Sequence, residues 1–236
     1  MISEVKGNAL HILKGNWMKV VSLVFITYLL ISLAGADYST LSFNRGGLSF
    51  SPLTFTSSLN IVGIILGSLI GSILFFALVD LIHSIKHHKD KKYLTSFFYG
   101  FRHRTLITKG FFILVVNRIL QLAVAICTGS ALFNLLLMNN PLRAGVLFII
   151  ALMTGWLYLG ISQCLYIFYD DPKVNVIKCI SSSITLMKGR KLQLLGLYIS
   201  FIGWFLLGLL AFIVGILWSI AYFKVSRFEF YESIKE

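Results

Sequence analysis

Long uncharged apolar runs recur along this chain, separated by short polar connections that are mostly basic. The longest, Leu192 to Phe223, is 32 residues without an Asp, Glu, Lys or Arg. Others lie near Val20 to Ala34, Leu59 to Val79, Ile119 to Met138 and Ala144 to Tyr169. About 18 such residues suffice to cross roughly 30 Å of hydrocarbon. The pattern predicts an all-α, polytopic membrane helix bundle of five to six transmembrane helices with amphipathic interfacial helices. The 236 residues form one membrane-embedded domain, with no room for a separate soluble one. Spans are predicted at about 17–34, 59–82, 111–137, 144–169 and 192–223. The last is too long for one upright helix and reads as a helical hairpin bending near Gly203 to Gly208.

Between the spans the period changes. Residues 3–14 carry a weak apolar stripe, Val5, Ala9 and Ile12, ended by Gly15-Asn16, with Trp17 as an interfacial anchor. Residues 172–189 carry a clearer one, Val174, Ile177, Ile180, Ile184 and Met187, at helical spacing. Asp170 or Asp171 is expected to cap that helix and Gly189 to end it. In 83–110, Phe97, Phe98, Tyr99 and Phe101 beside Arg102 and Arg104 read as an amphipathic surface segment. All three segments are predicted to be cytoplasmic and interfacial. In 37–58, apolar residues alternate around Asn44-Arg45-Gly46-Gly47, the pattern of a small β-hairpin.

Small residues mark packing faces. Gly63, Gly67 and Gly71 recur every four residues in the second span, with Ser68 and Ser72 beside them. Such a stripe admits another helix backbone closely, from this chain or from a second copy. Gly203, Gly208 and Gly215 play the corresponding part in the last run, with Ala211 and Ser219 extending the stripe.

Composition agrees with the pattern: 57% apolar, 13% charged and a mean hydropathy of +0.85. The net charge of +12 would suit nucleic acid, but its distribution does not. Of 21 Lys and Arg, seven lie between Lys86 and Lys109 and five between Lys173 and Lys191. Lys6, Lys14 and Lys19 precede the first span, and Lys224, Arg227 and Lys235 lie in the tail. The remaining loops hold one each, Arg45 and Arg143. This is the positive-inside asymmetry, which puts the N-terminus and the tail in the cytoplasm. The basic residues are therefore a topology signal and an attraction for anionic lipid head groups. Nucleic acid is not an expected partner.

The candidate chemistry is sparse. Arg118, flanked by Asn117 and Gln121, is the basic residue nearest a span interior, and Asp80 is the acid nearest one. A charge at membrane depth costs at least about 2.5 kcal/mol and marks function often. Either Arg118 pairs with Asp80, or it snorkels to the inner surface. His83 and His87 share a helix face, but the surrounding lysines repel cations, so no metal site is expected. No cofactor is expected, and Cys127, Cys164 and Cys179 show no disulfide or metal spacing. The spans carry no histidine box, paired aspartates or Ser-Lys dyad, so an enzyme is not expected.

Two stretches resemble a known family. Ala9-Leu10 through Leu13-Lys14-Gly15-Asn16-Trp17 is similar to its opening. Leu186-Met187-Lys188-Gly189-Arg190-Lys191, Ser200-Phe201-Ile202-Gly203-Trp204, Gly215-Ile216-Leu217-Trp218 and Phe230-Tyr231-Glu232 are similar to its end. The chain thereby resembles the domain-of-unknown-function 975 family of bacterial integral membrane proteins, common in Firmicutes. It departs where the family usually shows Pro-Gly, here Thr154-Gly155-Trp156, and Pro-Tyr, here Ala221-Tyr222. It therefore resembles a divergent member. The resemblance implies a bacterial plasma membrane and a multi-helix bundle, and supplies no reaction. The reading that results is a non-catalytic membrane protein that binds lipid or a membrane-protein partner, or associates with itself. Its role would be accessory, envelope-homeostatic or immunity. The alternative is a small transporter for an anionic solute or lipid.

Overall fold

The computed structural model describes residues 1–33, 43–44, 47–48, 61–87, 93–136, 138 and 140–235. Helix α1 (Ile2–Leu13) ends at Gly15, whose φ of +79° suits only glycine without strain. The chain then bends by 99° into α2 (Trp17–Leu33). A short antiparallel pairing of β1 (Phe43–Asn44) with β2 (Gly47–Leu48) lies within the segment read as a hairpin, most of which is outside the described residues. Helix α3 (Ile61–Lys86) follows, then the short α4 (Tyr93–Phe97) and α5 (Tyr99–Arg102). The long α6 (Arg104–Leu136) leads to α7 (Pro141–Ile161), α8 (Cys164–Asp170) and α9 (Val176–Leu186). Helices α10 (Lys191–Leu210) and α11 (Phe212–Lys235) close the chain.

The fold is all-helical in character, and four stretches are long and apolar enough to cross a membrane: Ile65–Lys86, Arg104–Leu136, Pro141–Asp170 and Lys191–Leu210. The bent pair α1–α2 is a fifth candidate. Their surroundings differ sharply. In α3, 67% of the apolar window is buried inside the protein, against 11% in α6 and 17% in α7–α8. Helix α3 is thus the central post, and α6 and α7 present most of their apolar side chains outward.

Helices α10 and α11 form the predicted hairpin, but it turns at Ala211 rather than between Gly203 and Gly208. The reason is packing. A Cβ at Gly208 would stand 2.8 Å from the Gly215 carbonyl oxygen, and one at Gly215 would stand 2.7 Å from the Ala211 Cβ. These two glycines are contact points of the finished hairpin, not its hinge. Ser219 Oγ donates to the Trp204 carbonyl at 2.9 Å, and Phe201 meets Tyr222 edge to face, so the helices run antiparallel. Gly203 faces open space.

The stripe of α3 behaves similarly. Gly63, Gly67, Ser68 and Ser72 are buried. Gly71 lies 3.6 Å, measured from an ideal Cβ, from Leu114 of α6. A tight α3–α6 crossing is one the spacing did not reveal. A Cβ at Gly110 of α6 would overlap the Ser72 hydroxyl and approach Phe76 to 2.6 Å. Ser72 Oγ also donates to the Ile107 carbonyl at 3.1 Å.

The amphipathic segments fold inward more than their stripes suggested. Val5, Ala9, Ile12 and Leu13 of α1 are buried in one core with Leu23, Phe201, Tyr222 and Phe228. Residues 83–110 are not one surface segment. Helix α3 continues through His83 to Lys86, and α6 already begins at Arg104. Between them, Gly100 packs directly on the α3 backbone at Ile73. Phe98 and Phe101 stay exposed, whereas Phe97 packs on the core. Helix α9 is capped by neither aspartate: Asn175 precedes it, and Asp171 Oδ1 accepts from the Lys173 backbone N–H at 3.0 Å. Its buried face is Cys179, Ser183 and the following Met187, while Ile177 and Ile184 point outward.

Candidate anion site within the bundle

The site begins with a broken helix. Between α7 and α8 the helical hydrogen-bond ladder is interrupted at Ser162 and Gln163, although both keep right-handed helical backbone angles. The Tyr166 N–H that would serve the Ser162 carbonyl in a continuous helix bonds the Gln163 carbonyl instead, at 3.0 Å. A carbonyl freed inside an apolar bundle costs several kcal/mol, roughly, unless a donor reaches it. Side-chain donors reach three carbonyls at the break. Ser162 Oγ donates to the Leu159 carbonyl at 2.7 Å, Ser183 Oγ to the Gly160 carbonyl at 2.6 Å, and Arg227 Nη2 to the Ser162 carbonyl at 3.1 Å.

Arg227 reaches that break from α11, where the basic tail was expected to leave the bundle. The tail is helical and packed: Val225, Ser226, Phe228, Glu229 and Phe230 are all buried. The Arg227 guanidinium lies 5.9 Å from the Tyr166 ring centroid and 5.8 Å from that of Tyr198. Its Nε is buried without a hydrogen-bond partner. Lys224 stands one turn earlier and is within electrostatic reach of both Arg227 and Arg118. Tyr158 adds a third phenol, accepting from Gln121 Nε2 at 2.9 Å. The Tyr198 hydroxyl faces Tyr158 but is buried with no partner at hydrogen-bond geometry. Asn117, on α6, is also buried, with its Oδ1 unpartnered.

Three positive side chains, Arg118, Lys224 and Arg227, are therefore gathered from α6 and α11. Among the described residues no carboxylate pairs with Lys224 or Arg227. The acid nearest in sequence, Glu229, is taken by Lys86 at 2.8 Å. Lys224 and Arg227 leave donors and charge in excess there, and the chemistry they support is the binding of an anion.

Of the residues singled out in the sequence, Arg118, Asn117 and Gln121 belong to this neighbourhood, and Asp80 does not. Arg118 lies beside Tyr28 of α2 and near Lys224. Asp80 sits at the other group of tyrosines, accepting from the Tyr169 hydroxyl at 3.1 Å, with Tyr99 nearby. Gly71 packs toward Leu114 of α6, Gly63 and Gly67 are buried, and Gly208 and Gly215 hold α11 against α10. Reading the chain missed Lys224 and Arg227 because they follow the last apolar run and match the basic flank expected there. The aromatic residues at Tyr158, Tyr166 and Tyr198 were the available signal.

The basic end of the bundle carries the remaining polar chemistry. Lys86 reaches Glu229 at 2.8 Å and Glu232 at 3.6 Å. Asp170 accepts from Tyr231 and from Lys235, the latter at 2.8 Å, and that contact holds the Lys235 ammonium above its ordinary range. Arg190 Nη1 donates to the Ile234 carbonyl at 2.7 Å. Lys109 Nζ donates to the Pro172 and Val174 carbonyls, each at 2.7 Å. Cys164 and Cys179 face each other across α8 and α9, each thiol donating to the other's carbonyl, at 3.6 and 3.3 Å. The hydrogen bond with Cys164, and then burial, push the Cys179 thiol up, so it stays protonated. His83 and His87 stack with ring centroids 4.4 Å apart. Among the described residues they are not part of any group of three metal-ligating side chains.

The entire chain, residues 1–236, matches the family described as protein of unknown function (DUF975). The chain belongs to that family. No curated protein and no solved structure shows significant similarity to it.

Proposed function

We propose that this is a multi-pass protein of the bacterial plasma membrane, with five to six spans and both termini cytoplasmic. It works by binding anionic membrane lipid and not by catalysis. The observation that carries the reading is the cluster of Arg118, Lys224 and Arg227 beside Tyr158, Tyr166 and Tyr198, without a paired carboxylate at Lys224 or Arg227. Cations held inside an apolar bundle are costly, and an anion that joins them offsets that cost. The basic groups at Lys86, Lys109, Arg190 and Lys235 favour the cytoplasmic leaflet, whose surface is negative. The outward apolar faces of α6 and α7 suit contact with lipid or with a membrane-protein partner. A role as an exporter's accessory subunit, an envelope-homeostasis factor or an immunity protein fits such a binder.

The second reading is a small permease for an anionic solute or lipid. It is favoured by Gln121, an exposed polar residue bonded to Tyr158 beside the cations. Extraction of the protein from its native membrane in lipid nanodiscs, followed by mass spectrometry of what co-purifies, separates the readings. Stoichiometric anionic lipid supports the binder. Anion flux in reconstituted vesicles that Arg118→Ala abolishes supports the permease. Protein that retains no anionic lipid and conducts no anion contradicts both.

A further inference from the structure

The orphaned groups of the anion site point to the chemistry of its ligand. The buried Arg227 Nε and the buried Tyr198 hydroxyl both lack partners. A guanidinium nitrogen donates and cannot accept, so its missing partner is an acceptor. Lys224 adds an ammonium that no described carboxylate meets. These donors come from α10 and α11, which the Gly208–Gly215 contact holds at fixed register. Arg227 is anchored on Ser162 at the break between α7 and α8, the Tyr198 ring centroid lies 5.8 Å from its guanidinium, and Lys224 is within electrostatic reach of it.

Charge narrows the class. A carboxylate or a phosphodiester brings one negative charge to the two cations Lys224 and Arg227. A phosphate monoester carries about −1.5 to −2 at pH 7 and three strong acceptor oxygens. That number of acceptors matches Arg227 Nε, the Lys224 ammonium and the Tyr198 hydroxyl. Arginine and lysine together also favour phosphate, the first by its planar fork and the second as a point charge.

Location narrows the source. Tyr198 stands ~10 Å along α10 from Lys191, at the bundle's basic end, which is the depth of a lipid head group and its first methylenes. The neighbouring Leu157 on α7 and Ile199 and Ile202 on α10 are exposed apolar residues. The surface around the site is therefore one that hydrocarbon wets. We infer that Arg227, Lys224 and Tyr198, with Arg118, form a binding site for the phosphomonoester head group of a membrane lipid whose chains remain in the bilayer.

This inference rests on the lipid-binding reading and goes beyond it in naming the head group. The test is thermal unfolding of the full chain in phosphatidylcholine nanodiscs with four additions in turn. These are phosphatidic acid, phosphatidylglycerol, oleate and, in the buffer, inorganic phosphate. Phosphatidic acid is expected to raise the unfolding temperature most. Arg227→Gln and Lys224→Met are expected to weaken its binding on the order of tenfold or more. Tyr198→Phe keeps the ring beside Arg227 and is expected to weaken binding less while folding normally. Lys188→Gln, on the exposed side of the chain after α9, leaves the effect unchanged. Equal stabilisation by phosphatidylglycerol overturns the monoester. Equal stabilisation by inorganic phosphate overturns the lipid source. Stabilisation by oleate alone overturns the phosphate and leaves the lipid-binding reading standing. Stabilisation by no anionic lipid removes both.

Discussion

Arg227 donates to the carbonyl of Ser162 at 3.1 Å, across the break that separates α7 from α8. One contact thus joins the C-terminal helix to a carbonyl at the break that the helical ladder leaves free. Replacing Arg227 with Gln shortens the side chain and leaves that carbonyl buried and unserved. An unsatisfied buried acceptor costs about 1–3 kcal/mol. The expected result is a lower unfolding temperature in neutral lipid, partly recovered by Arg227→Lys. An unchanged unfolding temperature for Arg227→Gln contradicts the contact.

Gly110 and Gly129 lie on the same helix but in opposite circumstances. Gly110 touches Phe76 and Ser72 of α3, whereas Gly129 has nothing within 4 Å. Gly110→Ala is expected to destabilise by about 1–3 kcal/mol, the cost of overpacking. Gly129→Ala is expected to be neutral or to stabilise by roughly 0.5–1 kcal/mol, since alanine loses less entropy in a helix. Denaturant unfolding of the two variants decides; the reverse order sinks the crossing described here.

The long apolar helices and the final helical hairpin were legible in the sequence, because each is a local property of period and length, whereas 83–110 divides among four helices. The partners were not. Gly110 sits in a span without any repeat, and only the approach of Ser72 and Phe76 gives it a role. Lys224 and Arg227 have the composition of a cytoplasmic flank, and nothing local says that α11 remains packed to its end. The stripe of α9 was legible in part, since Val174, Ile180 and Met187 pack on the bundle as predicted. Small and polar residues, Cys179 and Ser183, dock on the bundle because the Gly160 carbonyl and Cys164 await them, while the larger Ile177 and Ile184 turn outward.

Lys86 and Glu229 form the best-buried ion pair among the described residues, the carboxylate side chain being only 6% exposed. Removing the lysine strands that charge. Lys86→Met is expected to destabilise by about 1–3 kcal/mol, moderated because Lys86 itself is partly exposed and Glu232 shares it. Glu229→Gln in the same chain is expected to restore much of the loss. A double-mutant cycle showing additive effects contradicts the pairing.

The Cys179 thiol titrates above its ordinary range because it bonds Cys164 and is buried. An unfolded thiol loses its proton near about pH 8.5. Above that pH the unfolded chain binds fewer protons than the folded one, so stability falls as pH rises. The contribution is complete below that value and declines through the alkaline range toward the folded value. Unfolding temperature measured from neutral to alkaline pH is expected to fall less steeply in Cys179→Ala than in the parent. Parallel slopes in the two proteins contradict the Cys164–Cys179 contact.

The claim on which the functional account turns is that the cations inside the bundle hold an anionic lipid. Native mass spectrometry of the full chain released from native-membrane nanodiscs counts that lipid directly. The parent protein is predicted to retain one anionic lipid that Lys188→Gln keeps and Arg227→Gln loses. Retention of the same lipid at the same occupancy by Arg227→Gln, in protein that remains folded, contradicts the site.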